Sequence, residues 1–94
     1  MRLLWRARAL ADLRAIFAHI AHYTSPGHAY DRLAELRLHI ERLLDNPAMG
    51  QLGQRRGERF IIVRAGDQTY RCTYRLHGQT IYAVRIRDTR RGDS

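Results

Sequence analysis

Tyr70-Arg71-Cys72-Thr73-Tyr74-Arg75-Leu76 is the stretch from which the fold can be read. Tyr70, Cys72, Tyr74 and Leu76 fall on one side of an extended chain; Arg71, Thr73 and Arg75 fall on the other. Such period-two alternation marks a strand with one face in a core and one face open. Two further strands flank it, Arg59 to Arg64 before and Thr80 to Arg87 after, around a central strand of Thr69 to Leu76. Ala65-Gly66-Asp67-Gln68 and His77-Gly78-Gln79 supply the hairpin turns. In the last strand, alternation places Tyr82, Val84 and Ile86 on one face and Ile81, Ala83, Arg85 and Arg87 on the other. Leu3 to Trp5 is a short apolar run able to add a fourth strand.

Upstream the period changes to that of a helix. From Ala7 to Tyr23, Leu10, Leu13, Ile16, Phe17 and Ile20 form an apolar stripe, while Arg8, Asp12, His19 and His22 fall largely opposite. Thr24-Ser25-Pro26-Gly27 breaks the chain, with Ser25 placed to cap a second helix and Pro26 at its first position. That helix runs to about Leu44 on the stripe Tyr30, Leu33, Leu36, Ile40 and Leu43, and Asp45-Asn46-Pro47 ends it. Residues 48–58 are Gly-rich and polar and read as a pliable loop. The expected architecture is α+β: an N-terminal helical hairpin packed on one face of a small antiparallel sheet of three to four strands. A chain of 94 residues makes this one domain, residues 1–94.

The charge is lopsided and of one kind. All seventeen basic residues are arginine, and the formal net charge is +8. Arginine keeps its charge and grips carboxylate or phosphate with two parallel bonds, so an anionic partner is expected. Arg59, Arg71, Arg75, Arg85, Arg87, Arg90 and Arg91 are the residues expected to converge at one edge of the sheet. A solvated basic surface is the plainer alternative. The lone Cys72 excludes an internal disulfide and sits where a buried thiol belongs. The N-terminus lacks a signal-peptide pattern and no run is long enough to span a bilayer, so a cytoplasmic protein with no membrane partner is expected.

Catalytic and metal patterns are thin. His19 and His22 share a helix face, but nothing nearby completes a ligand set, and no metal or cofactor is expected. Ser25 is better explained as a cap than as a nucleophile, and Gly50, Gly53 and Gly57 do not form a phosphate loop. Glu35, Glu41 and Asp45 read as surface partners of Arg32, Arg37 and Arg42.

The order of these pieces resembles the RelE/ParE superfamily of type II toxin–antitoxin toxins, with the ParE branch nearest. Ala9, Asp12-Leu13, Ile16 and Ile20 match the family's first helix. Ser25-Pro26, Ala29, Ile40, Leu43, Asn46-Pro47 and Gly50 match the second helix and its end. Arg59, Tyr70-Arg71, Tyr74-Arg75, Ile81 and Val84-Arg85-Ile86 match the strands, and Asp88-Thr89-Arg90-Arg91 the basic close. The resemblance implies a toxin neutralised by a cognate acidic antitoxin in a hetero-oligomer. RelE-type toxins, which cut messenger RNA on the ribosome, carry basic side chains on the strand at 59–64. The matching positions here are Phe60 and Ile62, and Asp88 stands where many relatives carry histidine. ParE-type toxins are similar in lacking that set and act on DNA gyrase through protein contact. The resemblance therefore implies a gyrase inhibitor, with a ribosome-dependent endoribonuclease using Arg59, Arg71, Arg85 and Arg90 as the alternative.

Overall fold

The computed structural model describes residues 1–91, Arg91 by its backbone alone. Strand β1 (Arg2–Trp5) leads into helix α1 (Ala7–Tyr23), followed by α2 (Pro26–Glu41) and a 3-10 turn (Arg42–Leu44). Strands β2 (Gln51–Leu52), β3 (Glu58–Ala65), β4 (Gln68–His77) and β5 (Thr80–Asp88) complete the sheet, and a second 3-10 turn follows (Thr89–Arg91). The two helices lie together on one face of a five-stranded sheet of order β1-β5-β4-β3-β2.

The helix ends follow the expected chemistry. Ser25 Oγ accepts the His28 backbone N–H at 3.1 Å, and Pro26 opens α2 where no intrahelical donor is needed. The second helix is α-helical to Glu41, and its last turn tightens to 3-10. Each apolar stripe is shifted at its start. Leu10 and Tyr30 are exposed, and the small residues Ala9 and Ala29 are buried instead. Tyr30 lies edge-on to Phe17 at 4.8 Å on the outer side of the hairpin. Leu13, Leu36, Ile40 and Leu43 meet Ile61, Val63, Tyr70, Cys72, Tyr74, Ile81 and Ile86 in one core. Burying these side chains supplies the main driving force of folding.

Three features of the sheet correct the sequence reading. First, the sheet is mixed, with five strands: β1 pairs with β5 in parallel, Leu3 opposite Ile81 and Trp5 opposite Ala83. Parallel neighbours need a long crossover, which here is the helical hairpin and the three strands after it. Second, the segment 48–58 is not a pliable loop throughout. Gln51 and Leu52 pair with Phe60 and Arg59, and the turn before them is pinned from beneath. Tyr74 Oη accepts the Gly50 N–H at 3.0 Å and donates to Pro47 O at 2.7 Å. A Cβ on Gly50 would lie 2.6 Å from that hydroxyl, so only glycine fits there.

Third, β5 carries a β-bulge. Thr73 of β4 pairs with Arg85 and Tyr74 pairs with Ala83, which leaves Val84 as the extra residue. Alternation therefore resets within β5. Ile81, Ala83 and Ile86 are buried together, so the expected grouping of Ile86 with Tyr82 and Val84 does not hold.

Both hairpins turn on two residues, Gly66-Asp67 and Gly78-Gln79. The glycine comes first with φ of +62° and +60°, the left-handed region that a two-residue loop demands. The first turn is held by the second helix: Glu35 Oε1 accepts the Gly66 N–H at 2.9 Å, and Arg32 pairs with Asp67 at 3.5 Å. Arg32 and Glu35 thus face the sheet rather than each other. Arg37 and Glu41 form the expected surface pair at 3.6 Å.

Candidate functional site

The sheet face away from the helices holds the candidate site. Cross-strand register sets its rows: Glu58, Arg75 and Tyr82; then Phe60, Thr73 and Arg85; then Ile62, Arg71 and Arg87. Glu58, Ile62, Arg71, Thr73, Val84, Arg85 and Arg87 line an open cleft of about 620 Å³. Arg8, from the first turn of α1, and Arg55, from the β2–β3 connection, extend the basic lining. Neither was singled out from the sequence. Helix and loop residues carry no period that points to a distant strand face.

The arginines are held in different ways. The Arg71 guanidinium lies over the Phe60 ring, 3.7 Å from its centroid, and that of Arg6 lies 4.2 Å over Tyr82. Such stacking leaves the edge of the guanidinium able to donate to a partner. The partly exposed Arg75 is 3.7 Å from Glu58, whose side chain is largely buried. Arg85 crosses the bulge to Asp12 of α1, with its Nε 2.9 Å from Oδ2, and the same oxygen accepts the Ile86 N–H at 2.8 Å. Asp12, expected on the outer side of its helix, therefore faces the sheet. Arg87 lies on the open face beside Arg71. Arg90 sits beyond the strand in the 3-10 turn, 3.8 Å from Asp88. The side chain of Arg91 lies outside the described residues.

Arg59 departs from the expected cluster. Its register partner is Tyr74, a core residue, so its side chain leaves the sheet on the helix side. There Arg59 Nη1 donates to Gly50 O at 2.8 Å and to Ala48 O at 3.4 Å. Its role is to close the turn before β2, and it is not brought together with Arg71 and Arg87. The expected convergence at one edge thus becomes a spread of Arg71, Arg75, Arg85 and Arg87 across one face, with Arg59 on the helix side and Arg90 beyond the strand.

The remaining reactive groups are quiet. Cys72 is buried, which pushes its thiol up to about 12. His19 and His22 are exposed beside Tyr23. Among the described residues no three His, Cys, Asp or Glu side chains gather as a metal would need. No helix among them is long and apolar enough to cross a membrane.

A helical hairpin on a twisted sheet with an arginine-lined open face is the architecture of a small toxin of the RelE/ParE type. The family described as ParE toxin of type II toxin–antitoxin system, parDE, matches residues 3–92, and the chain belongs to that family. Solved structures share the fold. A chromosomal ParDE toxin–antitoxin system from P. aeruginosa aligns at TM-score 0.79 and 24% identity, covering 94% of this chain and 95% of that one. The intact E. coli RelBE toxin–antitoxin complex aligns at TM-score 0.62 and 16% identity, with 90% and 92% covered. A YoeB/ParE toxin from Agrobacterium tumefaciens aligns at TM-score 0.57 and 18% identity, with 94% and 98% covered. No curated protein sequence matches the chain.

Proposed function

We propose that this ParE-family toxin inhibits DNA gyrase by binding it, and that a cognate acidic antitoxin neutralises it by covering the open sheet face. The observation that carries the choice of target is the composition of β3 on that face. Phe60 and Ile62 project there, in register with Thr73 and Arg71, where nucleases of the superfamily carry basic side chains. Two apolar residues flanking Arg71 suit a protein surface, since burying them contributes to binding, whereas they contribute nothing to stabilising a phosphate. The nearby carboxylates Glu58 and Asp88 lie against Arg75 and Arg90, which suits structural pairing better than general-base work.

The net charge of +8 supports the acidic antitoxin. Opposite charge speeds encounter and weakens with salt. A segment that folds on binding can cover a face this broad on so small a protein.

Purified protein should inhibit gyrase supercoiling or trap its cleavage complexes, and stoichiometric antitoxin should relieve the effect. Ribosome-dependent cleavage of messenger RNA with gyrase unaffected would overturn this target in favour of the endoribonuclease reading.

A further inference from the structure

The cleft on the open face carries more positive charge than its own acids neutralise. Arg8 enters it from α1 and Arg55 from the β2–β3 connection, with Arg71, Arg85 and Arg87 on the strands between. Its acidic lining residues are Glu58 and Asp88, and these pair with Arg75 and Arg90. Arg85 is paired with Asp12. Among the described residues, Arg8, Arg55 and Arg71 pair with no carboxylate, and Arg8 and Arg55 are exposed. Guanidinium groups on both sides of an open trough suit a polyanion that runs along it.

The aromatic rings of the open face decide which polyanion fits. They belong to Phe60 and Tyr82, and each is covered by a guanidinium, that of Arg71 and that of Arg6. Single-stranded nucleic acid is held largely by bases stacked on bare aromatic faces, so it finds little to grip here. A duplex keeps its bases inside and offers phosphates, one charge per about 1.7 Å of its axis. From Arg71 to Arg75 strand β4 advances about 13 Å, so several phosphates come within reach of the cleft.

We propose that this cleft binds the phosphate backbone of duplex DNA through Arg8, Arg55 and Arg71, so that the toxin recognises gyrase with DNA bound to it in preference to the empty enzyme. This rests on the gyrase reading above and adds a second chemical class to the same contact. The mixed face fits a composite partner: Phe60 and Ile62 meet the enzyme, and the arginines meet its DNA. Phosphate contacts carry no sequence information, so the binding is independent of sequence and falls steeply with salt. An acidic antitoxin over the same face competes for these guanidinium groups.

The first probe is a fluorescein-labelled DNA duplex of mixed sequence, titrated with the whole chain at several salt concentrations. Log affinity should fall with log salt at a slope of about −2 to −4. Arg8→Glu with Arg55→Glu should weaken binding about tenfold more than a control of equal charge change. That control is Arg14→Glu with Arg42→Glu, at exposed positions in α1 and in the 3-10 turn after α2. The second probe is gyrase, with and without linear duplex DNA, captured on immobilised toxin. Capture should be about tenfold tighter when gyrase carries DNA, and the variant at Arg8 and Arg55 should lose that difference. Equal weakening by the two variant pairs would show attraction to net charge in place of a site, and would overturn the proposal. Gyrase captured equally well with and without DNA would overturn it too and leave the gyrase reading standing. Gyrase captured in neither state would end both. Tighter binding of single-stranded RNA than of the duplex would overturn it in favour of the endoribonuclease reading.

Discussion

Strands β4 and β5 lie side by side, carry the same mixture of arginine and apolar residues, and obey the same rule to different degrees. In β4, Tyr70, Cys72 and Tyr74 are all buried, and Arg71, Thr73 and Arg75 lie on the open side. In β5 the rule holds from Ile81 to Ala83, skips at Val84 and resumes with Ile86 inward. Neighbours explain the difference. Both edges of β4 are paired along most of its length, so each residue has one place to go. Beyond Ala83, β5 has lost β1, whose last bond is the Arg6 N–H to Ala83 O at 2.9 Å. The next outward donor, Ile86 N–H, is met by Asp12 from the first helix. A bulge at a strand edge survives when something remote accepts what it displaces.

The sharpest way to break this contrast is Asp12→Ala. It orphans the Ile86 N–H and leaves the three-quarters buried Arg85 without its carboxylate. A loss of about 2–4 kcal/mol in urea unfolding is expected, with Asp12→Asn recovering part of it through the retained acceptor. A change below the scatter of the measurement would mean that the bulge holds itself. Deletion of Val84 is a gentler probe. It restores the sequence Ala83 inward, Arg85 outward, Ile86 inward, and should give a folded chain that is less stable by about 1–2 kcal/mol. A chain that no longer folds would show that the bulge is needed for the register of β4 as well.

Cys72 gives the smallest effect and tests β4. Its thiol stays protonated in the fold up to about 12, against an ordinary value near 9. The folded chain therefore keeps a proton that the unfolded chain releases, and stability should fall as pH rises from about 9 toward 12. Cys72→Ala should flatten that slope relative to the parent chain. Near neutral pH the native thiol should resist a disulfide reagent that modifies it rapidly in denaturant. Fast modification of the native protein would show that β4 opens.

Much of the fold was legible. Ser25 and Pro26 announce the second helix because a cap and a pre-set φ act within one turn. The Tyr-Arg alternation of β4 announces a face because side chains alternate whatever lies beyond. Less of the candidate site was legible. Arg71, Arg75 and Arg87 reach the open face as expected, but Arg59 is drawn to the carbonyls of residues 48 and 50. Arg8 and Arg55 join the cleft from elements whose periods run independently of the sheet. Tyr74 reads as a core aromatic, and nothing in its neighbours in sequence reveals that its hydroxyl ties down Gly50 and Pro47.

Taken alone, the order of residues settled the two helices, the hairpins, the inward side of β4 and the basic character of the molecule. These depend on forces that act over a few residues, or on charge, which simply adds. Tertiary structure decided the parallel seat of β1, the skip at Val84 and the side taken by Arg59. Each of these turns on a donor or acceptor satisfied by a group far away in the chain, and only folding brings such partners within reach.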